Sequence, residues 1–148
     1  MKKIVLPAGA GQAGFTLIEL LVVMIIMGLL AALVAPRLFT HVDTARQQAA
    51  KAQIEMFGTA LDAYRLDCGK YPTTDQSLRA LRERPSGDSC WKGPYLPKEI
   101  PKDPWDGEYI YKSPGDHGDF DIMSYGADHA PGGEGNDKDI VNWKGIKD

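Results

Sequence analysis

GFTLIELLVVMIIMGLLAALVA, residues 14–35, is the stretch that decides how this chain is read. From Phe15 onward every residue is apolar or small except Thr16 and Glu19. A run of about 20 apolar residues is what an α-helix needs to cross a bilayer core. A helix also satisfies its backbone hydrogen bonds internally, as lipid demands. Glu19 is the anomaly. An ionisable side chain costs about 2.5–3.5 kcal/mol at the centre of a membrane helix, less near an end, and marks a functional position by default. Nothing in the run supplies a cationic partner. A cut between Gly14 and Phe15 would create one, because the new amine of Phe15 would be a cation at the membrane surface. It could meet Glu19 of a neighbouring subunit.

Gly14, Phe15, Thr16, Leu17, Ile18 and Glu19, followed by the apolar run, resemble the prepilin motif of type IV pilins and type II secretion pseudopilins. The resemblance implies that a prepilin peptidase cuts after Gly14 and that the amine of Phe15 is methylated. It also implies that Glu19 is needed for assembly into a helical filament. The alternatives are an uncleaved signal anchor and a secretory signal peptide. The run is too long for a typical signal-peptide core, and no small-residue cleavage site with a polar flank comes after it. Residues 1–14 then read as a cytoplasmic leader, with Lys2 and Lys3 favouring an inside N-terminus. Gln12 and Ala13 stand before Gly14, where that family often has basic residues.

Pro36 follows the run, and proline within a helix removes one backbone bond and kinks or locally melts it. A helical pattern nevertheless resumes. Leu38, Val42, Ala45, Ala49, Ala52 and Met56 recur at intervals of three or four, and Ile54, Phe57, Leu61 and Tyr64 form a second row beside them. Arg46, Gln47, Lys51, Glu55 and Asp62 are expected to face water. One long helix from Phe15 to about Asp67 is expected, its first half in membrane or filament core and its second half packed on a globular head.

Gly69 suits a helix C-cap. Thr73 with Gln76 makes a capping-box start for a short second helix that places Leu78 and Leu81 on one face and stops at Pro85. Residues 91–107 are rich in Pro, Gly and aromatics, which reads as irregular but ordered chain. Residues 109–113 and 120–124 alternate like strands around a hairpin loop at 114–118, and residues 140–143 offer a last short strand. The expected fold class is α+β.

So small a head buries a limited core and is expected to need staples. Cys68 and Cys90 are the only cysteines. Outside the cytoplasmic membrane they should oxidise to a disulfide rather than remain two buried thiols. The second candidate staple is the loop at residues 125–139, YGADHAPGGEGNDKD, with Asp128, Glu134, Asp137 and Asp139 among four glycines. Calcium takes about six to eight oxygen ligands from carboxylates and carbonyls, and glycines let a backbone wrap such an ion. The spacing does not fit an EF-hand, and a solvated acidic loop is the alternative.

Several further motifs are similar to the major pseudopilin family of the type II secretion system. They are Tyr71-Pro72-Thr73-Thr74, Gly93-Pro94-Tyr95-Leu96, Asp103-Pro104-Trp105, and Ser124-Tyr125-Gly126-Ala127-Asp128 with residues 132–140. The resemblance implies a pilin-like fold and one calcium in the loop. It assigns side-chain ligation to Asp128, Asp137 and Asp139, carbonyl ligation to Tyr125 and Ala130, and no role to Glu134. It implies an inner-membrane subunit with its head in the periplasm, waiting in lipid and then extracted into a filament. That filament would push folded proteins through an outer-membrane channel. The implied partners are further copies of the chain, minor pseudopilins, the prepilin peptidase and an inner-membrane assembly platform.

A net charge of −3 over 148 residues leaves no basic footprint for nucleic acid. Ser124, Asp128 and His129 suggest a hydrolase triad, but no nucleophile elbow surrounds the serine. The histidines lack zinc spacing, and no phosphate loop or dinucleotide fingerprint occurs. An enzyme is not expected. The rival readings are a type IV major pilin that builds a surface fibre, and a membrane-anchored calcium-binding module that never polymerises.

Overall fold

The computed structural model describes residues 14–146. The leader expected over residues 1–14 lies, apart from Gly14, outside the described residues. The chain divides into two compact units, Met1–Phe39 and Thr40–Asp148. Helix α1, Leu17–Cys68, contributes to both and includes Pro36 within its bounds.

In the first unit, Leu17–Val34 is long and apolar enough to cross a membrane. Its side chains are exposed, Leu17 at 87% and Leu33 at 71%. In water so much uncovered apolar surface would be costly, so the segment requires lipid or protein around it.

The second unit is built on the later turns of α1. Ala50, Ile54, Phe57, Ala60, Leu61 and Tyr64 are buried. Burying each large side chain contributes about 1.5–3 kcal/mol. Only the second of the two apolar rows in the sequence therefore packs on the head. Val42, Ala45, Ala49, Ala52 and Met56 are exposed, against expectation. The physical reason lies in side-chain size: the row carrying Ile, Phe, Leu and Tyr offers more area to bury than one made mostly of alanine. Two residues expected in water instead bond the backbone of the head. Lys51 Nζ donates to the carbonyls of Val141 and Lys144, each at 2.7 Å, and Gln47 donates to the carbonyl of Gly135.

Gly69 caps α1, with φ +72° and its N–H on the Arg65 carbonyl at 2.7 Å. The capping box forms as expected: Thr73 N–H donates to Gln76 Oε1 at 2.8 Å, and Gln76 N–H donates to Thr73 Oγ1 at 3.3 Å. The box opens onto turns and then the expected short second helix, which is a single 3₁₀ turn, Leu78–Leu81, and ends before Pro85. Ser77, at φ 53°, interrupts any α-helical continuation and caps Arg79 N–H with its hydroxyl. Leu78 and Leu81 are buried, as their shared face requires. The aromatic segment then folds over them. Trp91 Nε1 donates to the Ala80 carbonyl and Tyr95 N–H to the Leu81 carbonyl, both at 2.8 Å. A Cβ on Gly93 would stand 2.7 Å from the Trp91 ring and 2.9 Å from that of Tyr95, so only glycine fits between them.

A three-stranded antiparallel sheet completes the head in the order β1 (Ile110–Lys112), β2 (Asp121–Ser124), β3 (Ile140–Val141). Tyr111 pairs with Ile122 and Ser124 with Ile140. The strands lie where alternation placed them but are shorter. Beyond β3 the pairing continues at one more residue with side-chain help: Asn142 N–H donates to the Ile122 carbonyl at 3.1 Å, and Ile122 N–H donates to Asn142 Oδ1 at 2.9 Å.

Candidate functional site

Three places carry the residues singled out in the sequence. At the start of α1, Thr16 Oγ1 accepts the Glu19 N–H at 3.2 Å. Thr16-Leu17-Ile18-Glu19 is thus one half of a capping box, and Glu19 stands in the first turn, where a carboxylate favours the helix dipole. That local role was readable from the threonine three residues upstream, which the membrane context of Glu19 overshadowed. Phe15 is exposed at 79%, and Gly14 is exposed beside it. Among the described residues, none covers the Gly14–Phe15 bond.

The second place is the C-terminal end of α1, against the segment at residues 88–90. Cys68 and Cys90 form a disulfide, with their Cα atoms 5.0 Å apart. Beside it, Asp88 Oδ2 accepts from the Tyr64 hydroxyl at 2.6 Å and from Gln76 Nε2 at 3.0 Å. Burial, reinforced by this carboxylate, pushes the Tyr64 phenol well above its ordinary range.

The third is the acidic loop. Its backbone makes two 3₁₀ turns, Gly126–Asp128 and Gly135–Asp137, that pack together. Gly133, at φ +85°, brings the chain so close to Asp137 that a Cβ there would lie 2.4 Å from the Asp137 carbonyl oxygen. Asp128 Oδ1 accepts from Ala130 N–H at 3.1 Å, and Asp139 Oδ2 accepts from Gly132 N–H at 2.9 Å. Among the described residues, no three His, Cys, Asp or Glu side chains converge on one point. Asp128, Asp137 and Asp139 are therefore not brought together as a set. Asp139 Oδ1 and Asn136 Oδ1, however, are buried acceptors with no hydrogen-bond donor. Buried oxygens without donors are costly, and a hard cation would compensate them. The chemistry of the donor set fits such an ion. Asn136 escaped the sequence reading because an amide among four acids carries no distinguishing signal.

The triad residues do not assemble. Ser124 is fully buried, and its hydroxyl is committed to Asp103, not to His129.

Comparison with known proteins agrees with this arrangement. Residues 37–143 match the family described as Type II secretion system (T2SS), protein G. The chain belongs to that family. Residues 9–35 match the prokaryotic N-terminal methylation motif. Type II secretion system core protein G of Pseudomonas aeruginosa is 48% identical over 136 residues, covering 89% of this chain and 95% of that one. The protein of the same name from Vibrio cholerae serotype O1 is 47% identical over 135 residues, covering 89% and 92%. The crystal structure of the major pseudopilin from the type 2 secretion system of enterohaemorrhagic Escherichia coli is similar, with a TM-score of 0.61 and 37% identity. That match covers 70% of this chain and 87% of the other. The protein G family is structural, made of major pseudopilins and not of enzymes, and the assignment favours secretion over a surface fibre.

Proposed function

We propose that the chain is the repeating subunit of a periplasmic pseudopilus whose growth drives folded proteins across the outer membrane. The observation that carries this reading is apolar helix surface left uncovered in both units. In the first it is the segment Leu17–Val34. In the second it is the exposed row of Val42, Ala45, Ala49, Ala52 and Met56. The first face is satisfied by lipid before assembly, and both faces meet neighbouring helices in the filament. Because lipid tails are as apolar as leucine, that exchange costs little, and close packing with polar contacts decides it.

Glu19 supplies the polar contact. Left unpaired, its carboxylate opposes burial among helices. Paired with the methylated amine of Phe15 on an adjacent subunit, after cleavage behind Gly14, it sets the register between neighbours. The head resides in the periplasm, and lipid, the prepilin peptidase, the assembly platform and minor pseudopilins are the successive partners.

In the head, calcium binding draws the side chains of Asp128, Asp137 and Asp139, which do not converge in the structure, together with the carbonyls of Tyr125 and Ala130. The donorless Asp139 oxygen supports this assignment. The ion would supply positive charge that joins the two arms of a loop otherwise dominated by like charges. Overproduction in cells carrying a prepilin peptidase and an assembly platform, followed by electron microscopy of sheared material, tests the polymer. Filaments containing this chain are expected, and a membrane protein that stays monomeric would contradict it.

A further inference from the structure

Asp103 and Ser124 are both buried, at 5% and 0% exposure, and neither takes part in leader cleavage, subunit pairing or direct ligation of an ion. Asp103 Oδ1 accepts from Trp105 N–H at 3.0 Å and from Gly107 N–H at 2.7 Å, which fixes the carboxylate rigidly in the turn after Pro104. Its Oδ2 accepts the Ser124 hydroxyl. With that proton directed at the carboxylate, Ser124 Oγ remains an acceptor, and Gly126 N–H donates to it at 3.3 Å. Bonds linked in such a chain polarise and strengthen one another.

Gly126 is in turn wedged against the far arm of the acidic loop. It has φ +69°, and a Cβ there would lie 2.7 Å from the Asn136 carbonyl oxygen and 3.0 Å from that of Lys138. A Cβ on Gly107 would likewise lie 2.8 Å from Asp103 Oδ2 and 2.9 Å from His129 Nδ1. The assigned calcium ligands are chain neighbours of these contact points, Asp139 following Lys138. Tyr125 lies between Ser124 and Gly126, Asp137 between Asn136 and Lys138, and His129 separates Asp128 from Ala130.

We infer that Asp103 and Ser124 are positioning residues for the cation loop, the carboxylate aiming the serine hydroxyl and the hydroxyl anchoring Gly126 where both arms meet. This rests on the calcium reading of the loop. The link orders the backbone before the ion arrives, so less of the binding free energy is used to order the loop.

The test is calorimetric titration of calcium into the full-length chain in detergent, well below the melting temperature of every variant. Ser124→Ala is expected to weaken calcium binding about tenfold, the scale of one lost hydrogen bond, while Ser124→Thr, which keeps the hydroxyl, stays close to wild type. Tyr111→Phe is the control, since it removes a buried hydroxyl bonded to the Pro72 carbonyl at 2.8 Å, away from the loop. It is expected to lower the melting temperature in chelator and leave calcium affinity unchanged. Equal affinities for Ser124→Ala and wild type, or equal weakening by Tyr111→Phe, would overturn the inference alone. Absence of calcium uptake by the wild-type chain would instead overturn the calcium reading beneath it.

Discussion

Tyr64 donates its hydroxyl to Asp88 at 2.6 Å, one helical turn before Cys68 on α1 and two residues before Cys90 on the opposing segment. Hydrogen bond and disulfide thus fasten the same two pieces of chain. Replacing both cysteines by serine is expected to lower stability by about 3 kcal/mol, the loop-closure value for a separation of 22 residues. Tyr64→Phe alone should cost about 1–3 kcal/mol, because Asp88 loses a buried donor. Two fastenings this close should not act independently, so the combined variant is expected to depart from the sum. Denaturant unfolding of the four proteins measures it.

Asp121 predicts the acid behaviour. Burial by itself would raise its pKa, but the His117 ring at 2.9 Å and the N–H groups of Asp116 and His117 outweigh it and hold the carboxyl below its ordinary range. A carboxyl whose folded pKa is depressed contributes stability above its unfolded pKa of about 4. That contribution is lost as pH falls through the folded value. Asp121→Asn should therefore be less stable than wild type at pH 7, by about 1–3 kcal/mol, and the gap should close in acid. Unfolding free energies measured across the acid range check this.

The cation loop makes its own prediction. Calcium at about 100 times its dissociation constant stabilises a folded state by about 2.7 kcal/mol. The wild-type melting temperature should rise when calcium replaces chelator. Asp128→Ala and Asp139→Ala should each melt at the same temperature in both. A full calcium response in either variant would remove that residue from the ligand set.

How far the sequence disclosed this molecule depends on the range of each interaction. The Thr73–Gln76 box and the Gly69 cap involve neighbours along the chain and were readable, as were the three strands. Two apolar rows share one helical period between residues 38 and 64, so periodicity could not choose the row that the head would cover. Gln47 and Lys51 looked like surface residues because their acceptors lie 88 or more positions away. The Asp103–Ser124 contact spans 21 positions and belongs to no local motif. The acidic loop was visible by composition, whereas Asn136 was not.

Glu19→Ala separates processing from assembly. The variant keeps Gly14 and Phe15 and should lose its leader normally, yet it should form no filaments when overproduced. Immunoblotting for the shortened chain and microscopy of sheared material give the two readings. Normal filaments from Glu19→Ala would contradict the pairing of Glu19 with a neighbouring amine.

That pairing requires an amine at Phe15, and the most direct test of it is the intact mass and N-terminal sequence of the chain purified from cells carrying a prepilin peptidase. A chain that begins at N-methylated Phe15 is the predicted result. One that begins at Met1, with residues 1–14 still attached, would contradict the account at its base.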